Sequence, residues 1–469
     1  MSRIPLDSAS IPGMAFLTGD IVSLNRTEHG YAAIEGLAAT MVQPYLIRLD
    51  GPVAVDQVRR VMRELVTVYP KLRAKLEPGW HRYHLRILPD DDIVDQLFDW
   101  AFRVETQVDL DDREQVEAWQ RQLINEVLPL ERGLGLRVRF VPHPRQPALL
   151  FGVPHILADG MTMVQLVRQI LRGFNGQPLE PMPLEAPAMI GSIAPHRWWQ
   201  WPRQLLKARR HKVAESRRLA MLHIQQVPTR LGLHYSTTGL RLHEVSTGTA
   251  ELRALARQSG VSLNTLLIAA LAQTFLDQAP DDPQAAAVIR ISVNLRRFYP
   301  PQAGHGPLWG NYVGAFLVIE QDAHKPWPDR LRSVDASIRE GQARYERREM
   351  CWTYLWDELV PWLGRTLIGH IGVQLKRAQR FPVISCHATS LGDANAVNEP
   401  GARLRAVQLF GVVNSISPLP VLTEMNGRLF VPTAWQLSET THAEMSDFLL
   451  RFDATLARLV QGADAQSHP

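Results

Sequence analysis

The stretch from Ala148 to Phe174 constrains this chain more than any other. An unbroken apolar run, Ala148-Leu149-Leu150-Phe151-Gly152-Val153, ends at Pro154, and a histidine follows at once. A short loop, Ile156-Leu157-Ala158-Asp159-Gly160, then enters a segment in which Met163, Val164, Val167, Ile170, Leu171 and Phe174 recur on one helical face. A continuously apolar strand must be covered on both sides, and the amphipathic helix after it supplies such a cover. The pattern therefore demands a layered α/β domain, with a histidine and an aspartate at the strand end where the layers meet.

Around this unit the chain divides into two parts. Tyr45–Leu49 and Leu136–Val141 read as strands, the latter joined to 148–153 through the turn His143-Pro144-Arg145-Gln146-Pro147. A helix is expected from Val55 to Tyr69, stopped by Pro70, and another from Gln115 to Val127. Residues 1–190 form the first half and 239–469 the second, with a proline-, tryptophan- and base-rich connection over 191–238. In the second half, strands are expected at Leu240–Ser246, Val288–Val293 and Val313–Ile319. Helices are expected at Glu251–Gln258, Leu263–Leu276 (capped by Ser262) and Met445–Val460, with two or three more over Trp327–Gln379. The last few residues read as disordered.

Composition narrows the function classes. A formal net charge of +4 over 469 residues argues for no nucleic-acid partner. The two cysteines, Cys351 and Cys386, exclude a disulfide framework and the usual cysteine-based zinc sites, and no metal site is expected. The amino terminus lacks a basic region followed by an apolar run, so a leader is not expected and a reducing cytoplasm is the natural compartment. One local anomaly stands out. Between Arg197 and Arg218 there are eight basic side chains, one acid (Glu215), and Trp198, Trp199 and Trp201. A lipid headgroup layer or an acidic partner would suit such a helix. The preferred reading is plainer: a solvated helix whose tryptophans pack on the domain.

No Gly-x-Ser-x-Gly elbow, phosphate-binding loop or zinc-binding His-Glu-x-x-His is present, and the glycines at 304, 306 and 310 match a dinucleotide loop only by chance. His155 is the side chain best placed for chemistry, since an imidazole near its ordinary pKa of about 6.5 transfers protons at neutral pH. Asp159 can cap the helix or hold a charged partner, and Gly160 is expected to permit a backbone that a side chain would resist. By residue type alone, a structural histidine beside a common Asp-Gly turn explains the segment more readily.

Further residues shift that balance. His155-x-x-x-Asp159-Gly160 between strand and helix resembles the motif of the chloramphenicol acetyltransferase and condensation-domain superfamily. Val68-Tyr69-Pro70-Lys71-Leu72-Arg73 is similar to that family's early His-Pro-x-Leu-Arg helix end, and Val261-Ser262-Leu263-Asn264 to the start of its second-domain helix. Ser292-Val293-Asn294-Leu295-Arg296, Gly310-Asn311-Tyr312-Val313-Gly314, and the run from Ile384-Ser385 to Gly401-Ala402-Arg403-Leu404 resemble the wax ester synthase/diacylglycerol acyltransferase and polyketide-associated branches. These members work in lipid or secondary-metabolite biosynthesis. Pro154 stands where many members carry a first histidine; the resemblance assigns the base to the second, which is His155.

The resemblance implies two α/β sandwich domains of the chloramphenicol acetyltransferase type with the active site in a cleft between them. It implies direct acyl transfer from acyl-CoA or an acyl carrier protein thioester to a hydroxyl acceptor, with His155 as general base, no bound cofactor and no acyl-enzyme. Asp159 takes a structural role, paired with Arg296 or, failing that, Arg297. Asn311 and Ser385 are the candidates for oxyanion or substrate binding. Two alternatives stand beside this: a free-standing condensation enzyme that forms an amide, and a catalytically silent binding module. Any carrier protein acts in trans, and membrane contact through 197–218 stays open.

Overall fold

The computed structural model describes residues 21–34, 41–78, 83–128, 130–181, 195, 197–230, 237–298, 309–349, 367, 370–372, 374–375, 378, 383–415 and 417–467. Its first unit is built on a five-stranded sheet in the order Ala406–Gly411, Val42–Leu49, Ala148–Pro154, Arg137–Val141, Phe102–Val104. Ala148–Pro154 is central and every residue of it is buried, which is why it reads as an apolar run without alternation. It is antiparallel to both neighbours, with Tyr45 opposite Phe151 and Val138 opposite the same residue on the other side.

Two helices cover this sheet. Val55–Val68 buries Val58, Val61, Met62, Leu65 and Val66, and Gly160–Phe174 buries Met163, Leu166, Val167, Ile170 and Leu171. Each such fully buried aliphatic side chain contributes roughly 1.5–3 kcal/mol relative to exposure, so the two stripes hold the helices firmly on the sheet. The second helix ends at Asn175, and Gly176 follows with φ +76°, a left-handed turn that favours glycine. A three-stranded sheet (Ile21–Ser23, Tyr83–Ile87, Ala74–Pro78) and the helices Arg26–Ile34, Asp92–Ala101 and Arg113–Ile124 complete the unit.

The second unit has a seven-stranded sheet. Its main path runs Val313–Gln321, Ala285–Asn294, Cys386–Asp393, Leu419–Met425, Arg428–Gln436, Thr238–Glu244, and His223–Ile224 pairs beside Ala285–Asn294. Leu263–Leu276 is buried nearly all round beneath it, started by Ser262, whose hydroxyl accepts the Thr265 amide at 3.0 Å. It packs with Thr249–Gln258, Trp327–Glu346 and His442–Ser467.

Three expectations change. The division at 239 does not separate the sheets: Ala406–Gly411, deep in the second half, pairs antiparallel with Val42–Leu49 and becomes an edge of the first sheet. The final helix runs from His442 to Ser467, further than the amphipathic pattern suggests. Trp198 and Trp199 do not pack on the domain: they are 78% and 56% exposed ahead of the basic helix Trp201–Leu219. All of 182–194 and most of 350–382 lie outside the described residues, including the start of the expected connection, Cys351 and the further helices before Gln379.

Candidate active site

His155 follows the last residue of the central strand, and its backbone amide donates to the Met41 carbonyl at 2.7 Å. The ring is held by its Nδ1, which lies 2.8 Å from the Ala158 carbonyl oxygen. A carbonyl oxygen can only accept, so Nδ1 carries the proton and the neutral ring keeps its lone pair on Nε2. The Gln43 amide donates to the same carbonyl at 2.8 Å and fixes the loop from below. Nε2 has no hydrogen-bond partner among the described residues, and His155 is 6% exposed. Burial brings the imidazole well below its ordinary range, to about 4, against the opposing pull of the Ala158 carbonyl and the Asp159 charge. The Tyr31 ring lies over it, centroids 4.1 Å apart.

Asp159 faces away from that chemistry. One carboxylate oxygen accepts the amide and hydroxyl of Thr162 at 2.9 and 3.1 Å, capping the helix. The other accepts Arg296 Nη1 at 2.6 Å and the Tyr312 amide at 2.9 Å. Burial alone would raise its pKa, but the Arg296 charge and these hydrogen bonds outweigh it and hold the group below the usual carboxylate value. Arg296 also donates to Thr162 Oγ1 and the Gly310 carbonyl, each at 2.8 Å, and stacks over the Tyr312 ring. The pair thus ties the first unit to the second at the base of the histidine loop.

The remaining candidates separate. Asn311 is fully buried beside the histidine: its Nδ2 donates to the His155 carbonyl at 2.9 Å and lies 3.3 Å from Nδ1. It fastens the loop rather than facing an oxyanion. Ser385 is not brought there. Its hydroxyl accepts the Val288 amide at 2.9 Å within the second sheet, so its polarity is consumed by the strand ladder. Gly160 also differs from expectation: its φ is not positive, and an added Cβ would meet Leu391 and the Tyr45 hydroxyl only at ordinary contact distance, 3.5 Å. The glycine the site requires is Gly310. It has φ +125°, and a Cβ there would lie 2.8 Å from Glu28 Oε1 and 2.9 Å from the Tyr312 ring.

Several residues that the sequence did not single out join the site. Glu28 and Lys71 form a fully buried ion pair at 3.4 Å, and Glu28 Oε1 also accepts the Asn311 amide at 3.1 Å. Arg290, Ser292 and His387 share one face of the second sheet, with His387 within reach of the His155 charge. Their neighbours Ile289, Ile291, Cys386 and Ala388 enter the core on the other face, and Arg290 is the cross-strand partner of His387. Ser292 Oγ and His387 Nε2 are 2.9 Å apart. Burial first, then the charges of Arg290 and His155, lower the His387 pKa to about 3, so this ring is neutral near pH 7. Polar residues at alternate positions of a strand otherwise read as buried, 290 and 292, were the one available clue. Among the described residues no cluster of histidine, cysteine and carboxylate side chains is arranged to hold a metal ion.

This two-lobed arrangement is the fold of condensation domains and chloramphenicol acetyltransferase-like acyltransferases. It superimposes on the first condensation domain of the calcium-dependent antibiotic synthetase, bound to a substrate analogue, with a TM-score of 0.68 at 14% identity over 94% of this chain and 96% of that one. For the TRI3 trichothecene 15-O-acetyltransferase from Fusarium sporotrichioides the TM-score is 0.67 at 12% identity, covering 92% and 94%. For polyketide synthase associated protein 5 from Mycobacterium tuberculosis it is 0.60 at 17%, covering 95% and 99%. No family model matches the chain. In sequence it is 26% identical over 146 residues, 30% of its length, to the hybrid PKS-NRPS synthetase mycA of Thermothelomyces thermophilus, and it spans 3% of that protein.

Proposed function

We propose that this protein is an acyltransferase that moves an acyl group from a thioester, acyl-CoA or an acylated carrier protein, directly to an alcohol, with His155 as general base. One observation carries the reading: the Ala158 carbonyl fixes the Nδ1–H tautomer and leaves Nε2 unpartnered at the junction of the two units. As the acceptor oxygen attacks the thioester carbonyl, Nε2 takes its proton and a C–O bond forms. Collapse of the tetrahedral intermediate breaks the C–S bond, and the imidazolium returns the proton to the thiolate. The enzyme carries no acyl group at any stage. Both Asp159 oxygens are already occupied by Arg296, Tyr312 and Thr162, so Asp159 acts as a positioning residue and not as a proton relay. Ser292 and the His387 ring, paired with each other and within reach of the His155 charge, take the role of donors to the developing oxyanion, in place of Asn311 and Ser385.

An amine acceptor fits the same geometry. The fold likeness to a condensation domain matches that to an O-acetyltransferase, and His155 serves either nucleophile. Purified protein incubated with an acyl-CoA series and paired alcohol and amine acceptors, with free thiol measured and products weighed by mass spectrometry, separates the readings. Ester product supports O-transfer; amide product replaces it with condensation. Thiol release only from a loaded carrier protein moves the donor from CoA to the carrier. No release from any thioester leaves a binding module, and an acylated enzyme overturns direct transfer.

A further inference from the structure

The helix Trp201–Leu219 is held to the body of the protein by one side only. Ala208 is its buried residue, Lys207 pairs with the covered Glu349, and Lys212 turns to Glu215. The opposite side is exposed and is not simply polar. Leu206 and Val213, seven residues apart and so on one line of the helix, are both exposed, with Trp198 and Trp199 ahead of them and Met221 beyond. Arg203 and Arg210 flank this line on one side, Arg209 on the other, and Arg217 lies close to it. None of these arginines has an acidic partner among the described residues, and Glu215, the only acid of the helix, is already engaged. A second exposed apolar line, Leu367, Ile371 and Leu375 at four-residue spacing, lies on helical residues elsewhere.

We infer that the outer face of 198–221 is a docking surface for an anionic lipid bilayer, lying in the headgroup layer. The inference does not depend on the acyl-transfer reading. A purely solvated helix gains nothing from exposed tryptophan, leucine, valine and methionine. An acidic protein partner accounts for the arginines, but gives two adjacent exposed indoles no particular place. An interface accounts for both: indole rings settle at headgroup level, aliphatic side chains reach the acyl boundary, and flanking cations meet lipid phosphates. Among the described residues no single helix is long and apolar enough to cross a membrane. The bent pair Thr249–Gln258 and Leu263–Leu276, which passes such a test jointly, belongs to the core of the second unit.

The test is co-sedimentation of the full chain with vesicles of phosphatidylcholine alone or of phosphatidylcholine and phosphatidylserine at three to one. The expected result is binding that needs phosphatidylserine and weakens in high salt. Two variants, Trp198→Ala/Trp199→Ala and Arg203→Gln/Arg210→Gln/Arg217→Gln, should each melt like the parent. The arginine variant should bind roughly 10²-fold more weakly, from the ~1 kcal/mol that each surface cation contributes. Absence of binding by the parent chain, or binding that both variants leave intact, overturns the inference. So does loss of binding in the arginine variant alone: charge without the indoles points to an acidic protein surface, as would capture of a purified apo carrier protein through the same arginines.

Discussion

Asp159 and Arg296, 137 residues apart in the chain, meet at 2.6 Å where the two units join. Asp159 is 1% exposed and the Arg296 side chain 11%, so neither charge has water to fall back on. Replacing Asp159 with asparagine keeps an acceptor for the Thr162 amide but removes the charge opposite Arg296 and, with an amide NH2 in place of the second oxygen, the acceptor of the Tyr312 amide. Breaking a buried pair in this way costs ~3–5 kcal/mol. We expect a clearly lower melting temperature together with lower activity. A melting curve identical to the parent's would count against the pair as the clamp between the units.

His155→Ala should behave in the opposite manner. The ring contributes one hydrogen bond to a loop already fastened by Gln43 and Asn311. The variant should therefore fold, and it should lose at least ~10²-fold in transfer rate, the usual contribution of a positioned general base. Full activity in a folded His155→Ala protein would end the assignment.

The low pKa of His155 sets the pH profile. With a value near 4, the ring is neutral throughout the range from pH 6 to 8, so the acid side of kcat/KM should stay flat there and fall only as pH approaches 4. The same shift affects stability. In the unfolded chain the imidazole binds its proton near pH 6.5, and in the folded one near 4, so the unfolded state takes up more protons between these values and stability is lost as pH falls through that window. An activity profile with an inflection at pH 6.5 would show a base exposed to water.

The two glycines give a direct contrast. Gly310→Ala forces a left-handed φ on a side chain and drives its Cβ into Glu28 and Tyr312, so a loss of more than ~1 kcal/mol is expected, with activity reduced through Asn311. Gly160→Ala meets only ordinary contacts and should change stability little. Thermal melts of the two variants decide the matter; equal losses would mean that the loop at 310 adapts.

What could be read in advance was local. The apolar run Ala148–Val153, the cap at Asp159 and the stripe Met163–Phe174 follow from periodicities that neighbouring residues impose on each other, and they place His155 at a strand end without knowledge of the rest. The ion pair of Asp159 was suggested by family resemblance, since nothing within either segment specifies a partner 137 residues away. Gly310 enters the sequence reading only as part of a resemblance, since its role depends on Glu28 from the far end of the chain. Tyr31, Arg290 and His387 are ordinary residues until the fold brings them to the site.

The sequence by itself determined the strand-histidine-helix unit, the short loop after the histidine and the basic, tryptophan-rich helix, because short-range patterning governs each. Only the tertiary structure decided that Ala406–Gly411 crosses to the first sheet, that Ser385 is consumed by its own sheet while His387 comes within reach of the His155 charge, and that Trp198 and Trp199 stand in solvent. Those outcomes turn on register and burial between distant segments, and a chain read residue by residue carries no measure of either.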